Sequence, residues 1–167
     1  MRQNCGHRWA EIKLNSAIEM RETQKGKCMH KVAVALISAL ALTVALAQER
    51  TPSAKGADVY IISPKDGATL SSPVTVQFGL KGMGIAPAGI AFENSGHHHL
   101  LVDTDVPANL GMPLPVTDNV RHFGKGQTEA ALELKPGKHT LQLLLADQNH
   151  IPHNPAVMSK KITITVK

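Results

Sequence analysis

Residues 58–167 carry short runs of alternating hydrophobic and polar positions, separated by proline and glycine. Val74, Val76 and Phe78 alternate with Thr75 and Gln77, and Ile162, Ile164 and Val166 alternate inside KITITVK. A period of two places one set of side chains on one face and marks a half-buried strand. Residues 58–62 (DVYII), 96–103 and 139–146 (HTLQLLLA, the most apolar run) read as further strands. Residues 128–134 fit a strand or one helical turn, and the alternation of Leu132 and Leu134 with Glu133 favours the strand. Pro64-Lys65-Asp66-Gly67 and Pro136-Gly137 are turns, because proline presets φ and glycine accepts a positive φ. Residues 81–89 read as a Gly/Pro loop with Met83 and Ile85 as apolar plugs. Residues 104–126 read as a long loop with three prolines, and residues 147–158 as a second irregular loop with two. Long loops in compact domains are usually functional or mobile. Six or seven short strands and no useful helix predict an all-β fold, an antiparallel immunoglobulin-like β-sandwich over residues 58–167.

The chain upstream has a different pattern. Residues 32–47 form the uncharged run VAVALISALALTVALA, preceded by His30-Lys31 and closed by Ala45-Leu46-Ala47. Sixteen residues fall short of the roughly 20 that a membrane-spanning helix needs. Residues 29–47 therefore predict a signal peptide cleaved after Ala47, and a periplasmic or secreted product. Residues 1–28 fit neither piece. They read as a mis-called upstream extension before a start at Met29 or Met20, or else as an unusually long basic leader. Residues 48–57 (QERTPSAKGA) read as a flexible tail.

This division changes what charge and cysteine imply. Residues 48–167 hold 11 Lys+Arg against 10 Asp+Glu, so most of the formal +5 lies in residues 1–47. The high isoelectric point thus argues for neither a nucleic-acid partner nor a membrane surface, and the mature part has no membrane span. Both cysteines, Cys5 and Cys28, lie in the excluded segment, so the domain has no disulfide and no thiolate ligand.

Histidine is the unusual component. Seven of the nine histidines lie in residues 48–167: His97, His98, His99, His122, His139, His150 and His153. On a strand, His97 and His99 share one face and His98 takes the other. An i, i+2 histidine pair presents two imidazoles to one ion, and imidazole nitrogen suits copper or zinc. His122, His150 and His153, each in a long loop near a strand end, are the candidates to complete the site. Asp103, Asp105 or Asp147 are carboxylates available as ligands or as partners of an imidazole N–H. A solvated strand face with hydrogen-bonded loop histidines is the simpler alternative, and His139 reads as a strand-start residue. Asp103-Thr104-Asp105 lacks the further oxygen ligands a calcium site needs, and Met83, Met112 and Met158 read as filler rather than soft copper ligands.

Five segments carry a resemblance: Ser63-Pro64-Lys65-Asp66-Gly67, Gly96-His97-His98-His99-Leu100-Leu101-Val102-Asp103, His122-Phe123-Gly124-Lys125-Gly126-Gln127-Thr128, Leu134-Lys135-Pro136-Gly137-Lys138-His139-Thr140-Leu141, and Asp147-Gln148-Asn149-His150-Ile151-Pro152-His153. In these the chain resembles a family of small exported bacterial domains of unknown function, numbered 4399. The resemblance implies export and a single domain, and supplies no activity. Residues 63–78 also look like the opening of immunoglobulin-like periplasmic copper-resistance proteins, although Gln48 stands where some of those carry an N-terminal histidine. Gly96-His97-His98-His99 is loosely similar to the paired strand histidines of copper-zinc superoxide dismutases, whose disulfide cannot form here.

Three functions follow. The first is a periplasmic metal-binding protein for storage, delivery or tolerance of copper or zinc. The second is a non-catalytic immunoglobulin-like module that binds a periplasmic protein or a cell-envelope partner. The third is an enzyme, for which no serine–histidine–acid spacing, phosphate loop or carboxylate pair stands out.

Overall fold

The computed structural model describes residues 49–167. The predicted extension (1–28) and signal peptide (29–47) lie outside the described residues. Nine strands and no helix are found among them: β1 (Asp58–Ser63), β2 (Thr69–Leu70), β3 (Val74–Lys81), β4 (Gly84–Ile85), β5 (Ser95–Val102), β6 (Val120–Phe123), β7 (Glu129–Leu132), β8 (Gly137–Ala146) and β9 (Ile162–Val166). No helix among them is long and apolar enough to cross a membrane.

The strands form two sheets. One has the order β1-β3-β7, both pairs antiparallel. The other has the order β2-β9-β8-β5-β4, with β6 also paired to β5. Its main pairs are antiparallel, and the short pairs β2–β9 and β4–β5 are parallel. The period of two decides what each strand buries. Val74, Val76 and Phe78 of β3 share one core with Leu100, Val102, Leu141, Leu143, Leu145 and Ile164 of the larger sheet. The opposite face of the larger sheet is also covered. There Leu101, Leu144 and Ala146 pack with Leu114 and Val120, and with partly buried Val106 and Leu110 of the long connection. Fully burying a leucine is worth about 1.5–3 kcal/mol, so the six fully buried leucines of β5 and β8 outside and inside the sandwich are a principal source of stability. With both faces covered, every residue of β5 is buried.

Three short strands depart from expectation. Residues 104–126 are not one loop: β6 lies within them, paired antiparallel to β5. Only four residues long and behind three prolines, it shows no sequence period, and its partner's free edge is what makes it a strand. Residues 81–89 likewise contain β4, whose Gly84 and Ile85 pair with Ser95 and Gly96. Met83 and Ile85 do pack against the core. β2 occupies the stretch between the first turn and Pro73. In the segment read as a tail, residues 50–53 make defined bonds. Arg50 Nε donates to the Pro152 carbonyl (2.9 Å), Ser53 N to the Asn154 carbonyl (3.2 Å), and Asn154 N to the Thr51 carbonyl (2.9 Å).

Candidate metal centre

Strand alternation separates the three consecutive histidines. His98 turns into the sandwich, its ring 5.1 Å from that of Phe78, and its Nδ1 donates to the Gln127 carbonyl (3.3 Å). His97 and His99 turn to the other face, ring centroids 4.8 Å apart. The β5–β6 register sets His122 directly across from His99, and their rings lie 5.1 Å apart. Gly124 makes room for that ring: a Cβ there would stand 2.2 Å from His122 Cε1 and 2.3 Å from Nε2.

His150 arrives from a tight turn after β8. Asp147 Oδ1 accepts from Asn149 N (2.9 Å) and Ile151 N (3.0 Å), and Oδ2 from Thr51 Oγ1 (2.6 Å). His150 N donates to the Asp147 carbonyl (3.0 Å). This cage holds His150 at φ 65°, in the left-handed region that a non-glycine residue adopts at a cost. The carboxylate thus acts on the site by shaping the turn. Asp147-x-x-His150 is visible in the sequence, whereas nothing in the sequence links Thr51 to it.

One ligand atom from each of His97, His99, His122 and His150 lies within 4.8 Å of every other. His97 Nε2 and His150 Nδ1 are 3.2 Å apart. Six buried ring nitrogens among the described residues find no hydrogen-bond partner: four in the cluster, His97 Nδ1, both nitrogens of His99 and His122 Nε2, and two outside it, His98 Nε2 and His153 Nδ1. Buried polar atoms are ordinarily satisfied, and each unpaired one costs about 1–3 kcal/mol. Burial first, then the neighbouring imidazoles, pushes His97 down to about 4 and His99 down to about 3, with Asp147 partly opposing the effect at His97. His122 is lowered by burial and by His150. His97, His99 and His122 are thereby held neutral at pH 7, the form a metal requires.

The other candidates lie elsewhere. His153 was expected among the ligands, but the structure does not bring it to the cluster. It is fully buried with Nε2 donating to the Ser95 carbonyl (3.2 Å), and its Cε1 fills the space above Gly96. His139 Nδ1 bonds Asp103 Oδ2 (2.7 Å) and Nε2 donates to the Lys135 carbonyl (2.8 Å). Asp105 pairs with Lys161.

A family model described as Domain of unknown function (DUF4399) matches residues 76–167. The chain belongs to this family. No curated protein and no solved structure matches it. All four clustered histidines fall inside the DUF4399 match, so the cluster is built from the family domain alone.

Chemically, the DUF4399 cluster offers four imidazole nitrogen donors and no oxygen or sulfur. Hard cations such as Ca²⁺ and Mg²⁺ prefer oxygen, and imidazole suits Zn²⁺ and Cu²⁺. His97 and His99 are buried, and His122 and His150 are half-buried at the rim. The cluster can hold one metal ion.

Proposed function

We propose that the domain is an exported copper- or zinc-binding protein that holds one ion through His97, His99, His122 and His150, for metal storage, delivery or tolerance. One observation carries the reading: four imidazoles from two paired strands and a separate turn converge, and three of them, His97, His99 and His122, keep buried ring nitrogens without partners. A fold does not ordinarily leave several polar atoms unsatisfied in one place, and a cation would supply a partner to one nitrogen of each ring. Export rests on the apolar run before Ala47 and its small-residue ending, and makes the periplasm or the extracellular space the place of action.

Calorimetric titration of the purified protein with Zn²⁺ and with Cu²⁺ at neutral pH tests the proposal. The expected result is one ion per chain. Binding should weaken in His97→Ala/His99→Ala by more than the roughly 10–100-fold typical of losing a residue that only supports a ligand. Equal binding by the variant would refute it.

A second reading draws on Phe92, 73% exposed, and Ile90, 56% exposed, in the β4–β5 connection. An immunoglobulin-like module that captures a periplasmic or envelope protein would use such apolar side chains. That reading predicts partner capture lost in Phe92→Ser and indifferent to the histidines.

A further inference from the structure

The shape of the cluster narrows the ion. With metal–nitrogen bonds of about 2.0–2.1 Å, each imidazole centroid stands about 3.2 Å from the metal. A tetrahedron of such rings puts all six centroid pairs about 5.2 Å apart. A square plane instead gives four pairs at about 4.5 Å and two opposite pairs at about 6.4 Å. The six observed separations run from 4.6 to 5.8 Å.

The opposite pairs decide between the two shapes. In a square, two pairs that share no ring must both be long. His97–His122 and His99–His150, the longest such set, measure 5.0 and 5.8 Å. His97–His150 and His99–His122 measure 5.0 and 5.1 Å, and His97–His99 and His122–His150 measure 4.8 and 4.6 Å. No set has both of its pairs at the trans separation. The 3.2 Å between His97 Nε2 and His150 Nδ1 also matches one edge of a tetrahedron of donors, about 3.3–3.4 Å.

We infer that this is a closed tetrahedral four-imidazole site, made for Zn²⁺ rather than for tetragonal Cu²⁺; the inference rests on the metal-binding reading above. The scaffold resists flattening. His97 and His99 are fixed two residues apart on buried β5, His122 is locked by the β5–β6 pairing, and His150 by its hydrogen-bonded turn. Zn²⁺ has no geometric preference of its own and accepts this arrangement, whereas Cu²⁺ prefers a tetragonal one. Soft Cu⁺ favours sulfur, and the cluster contains none. Four protein ligands leave no position for a reacting water, which points to holding the ion rather than to hydrolysis.

The test loads the full protein separately with Zn²⁺, Co²⁺ and Cu²⁺. X-ray absorption should find four nitrogens around Zn²⁺ at about 2.0–2.1 Å and no oxygen. Co²⁺ should show the intense visible absorption of tetrahedral coordination, and the electron paramagnetic resonance of Cu²⁺ should show the narrowed copper hyperfine splitting of a flattened tetrahedron. Five or six ligands at Zn²⁺, pale Co²⁺ or a regular tetragonal Cu²⁺ spectrum overturns the inference. In that event, stoichiometric binding that disappears in His99→Ala leaves the metal-binding reading standing. Failure of all three ions to bind stoichiometrically overturns both.

Discussion

His99 and His139 lie on paired strands of one sheet, β5 and β8, yet they show opposite chemistry. Both nitrogens of His139 are bonded, one to Asp103 and one to the Lys135 carbonyl. Its pKa is raised, mainly by the Asp103 bond. Both nitrogens of His99 are buried without partners, and burial pushes it down to about 3. Histidine content alone therefore does not identify a site. What separates the two is whether the fold itself satisfies the ring.

The sharpest break of this comparison is substitution at each position. His99→Ala should reduce metal affinity by at least about 100-fold, beyond the range of a supporting residue. His139→Ala should leave affinity within about two-fold and cost no more than about 1 kcal/mol of stability, as for partly exposed ion pairs. Calorimetry and urea unfolding of the two variants read both quantities. His98→Ala adds a control on β5 itself: it should bind metal like the wild type but lose about 2 kcal/mol or more, because it leaves a hole beside Phe78.

The two histidines should also respond oppositely to pH in the metal-free protein. His97 and His99 have folded-state values below the ordinary 6.5, so the unfolded chain binds the protons first. Their contribution is full above pH 6.5 and falls as pH drops toward 4 and then 3, by up to about 1.4 kcal/mol per pH unit for each proton taken up. His139 has a raised value, so its contribution is present below pH 6.5 and is lost as pH rises through the folded-state value. Thermal unfolding from pH 3 to 8 should show the acid loss in the wild type. His97→Ala/His99→Ala should flatten it, and His139→Ala should leave it unchanged.

His150 separates ligand from backbone. His150→Gly removes the ring but suits φ 65°. Affinity should fall by at least about 100-fold, as for the other ligands, while stability holds or rises by up to about 1 kcal/mol. His150→Ala should lose the same affinity without that gain. The smallest effect belongs to Gly124→Ala, whose methyl would push the His122 ring aside. A several-fold loss of affinity, restored by no change in unfolding behaviour, is the expected outcome of titrating that variant.

The legible part of this fold was its alternation. β3, β5, β8 and β9 declare themselves through period or apolar runs, and the same alternation places His97 and His99 together and His98 apart. β6 was hidden because pairing to β5, not local pattern, makes it a strand, and without β6 the opposition of His122 to His99 has no sequence signal. His150 and His153 look alike in the sequence, each in a polar loop with proline nearby. The left-handed turn caged by Asp147 points one toward the cluster, and the run past Pro152 buries the other beside Ser95. The docking of Thr51 on Asp147 bridges 96 positions and is beyond any local reading.

The most direct measurement is nitrogen NMR of the histidine rings in protein labelled with ¹⁵N-histidine, before and after one equivalent of Zn²⁺. The account predicts that His97, His99, His122 and His150 shift together to metal-bound positions at one equivalent, while His98, His139 and His153 stay in place. Shifts at His153 or His139 in place of these, or no saturable shift at any ring, would contradict it.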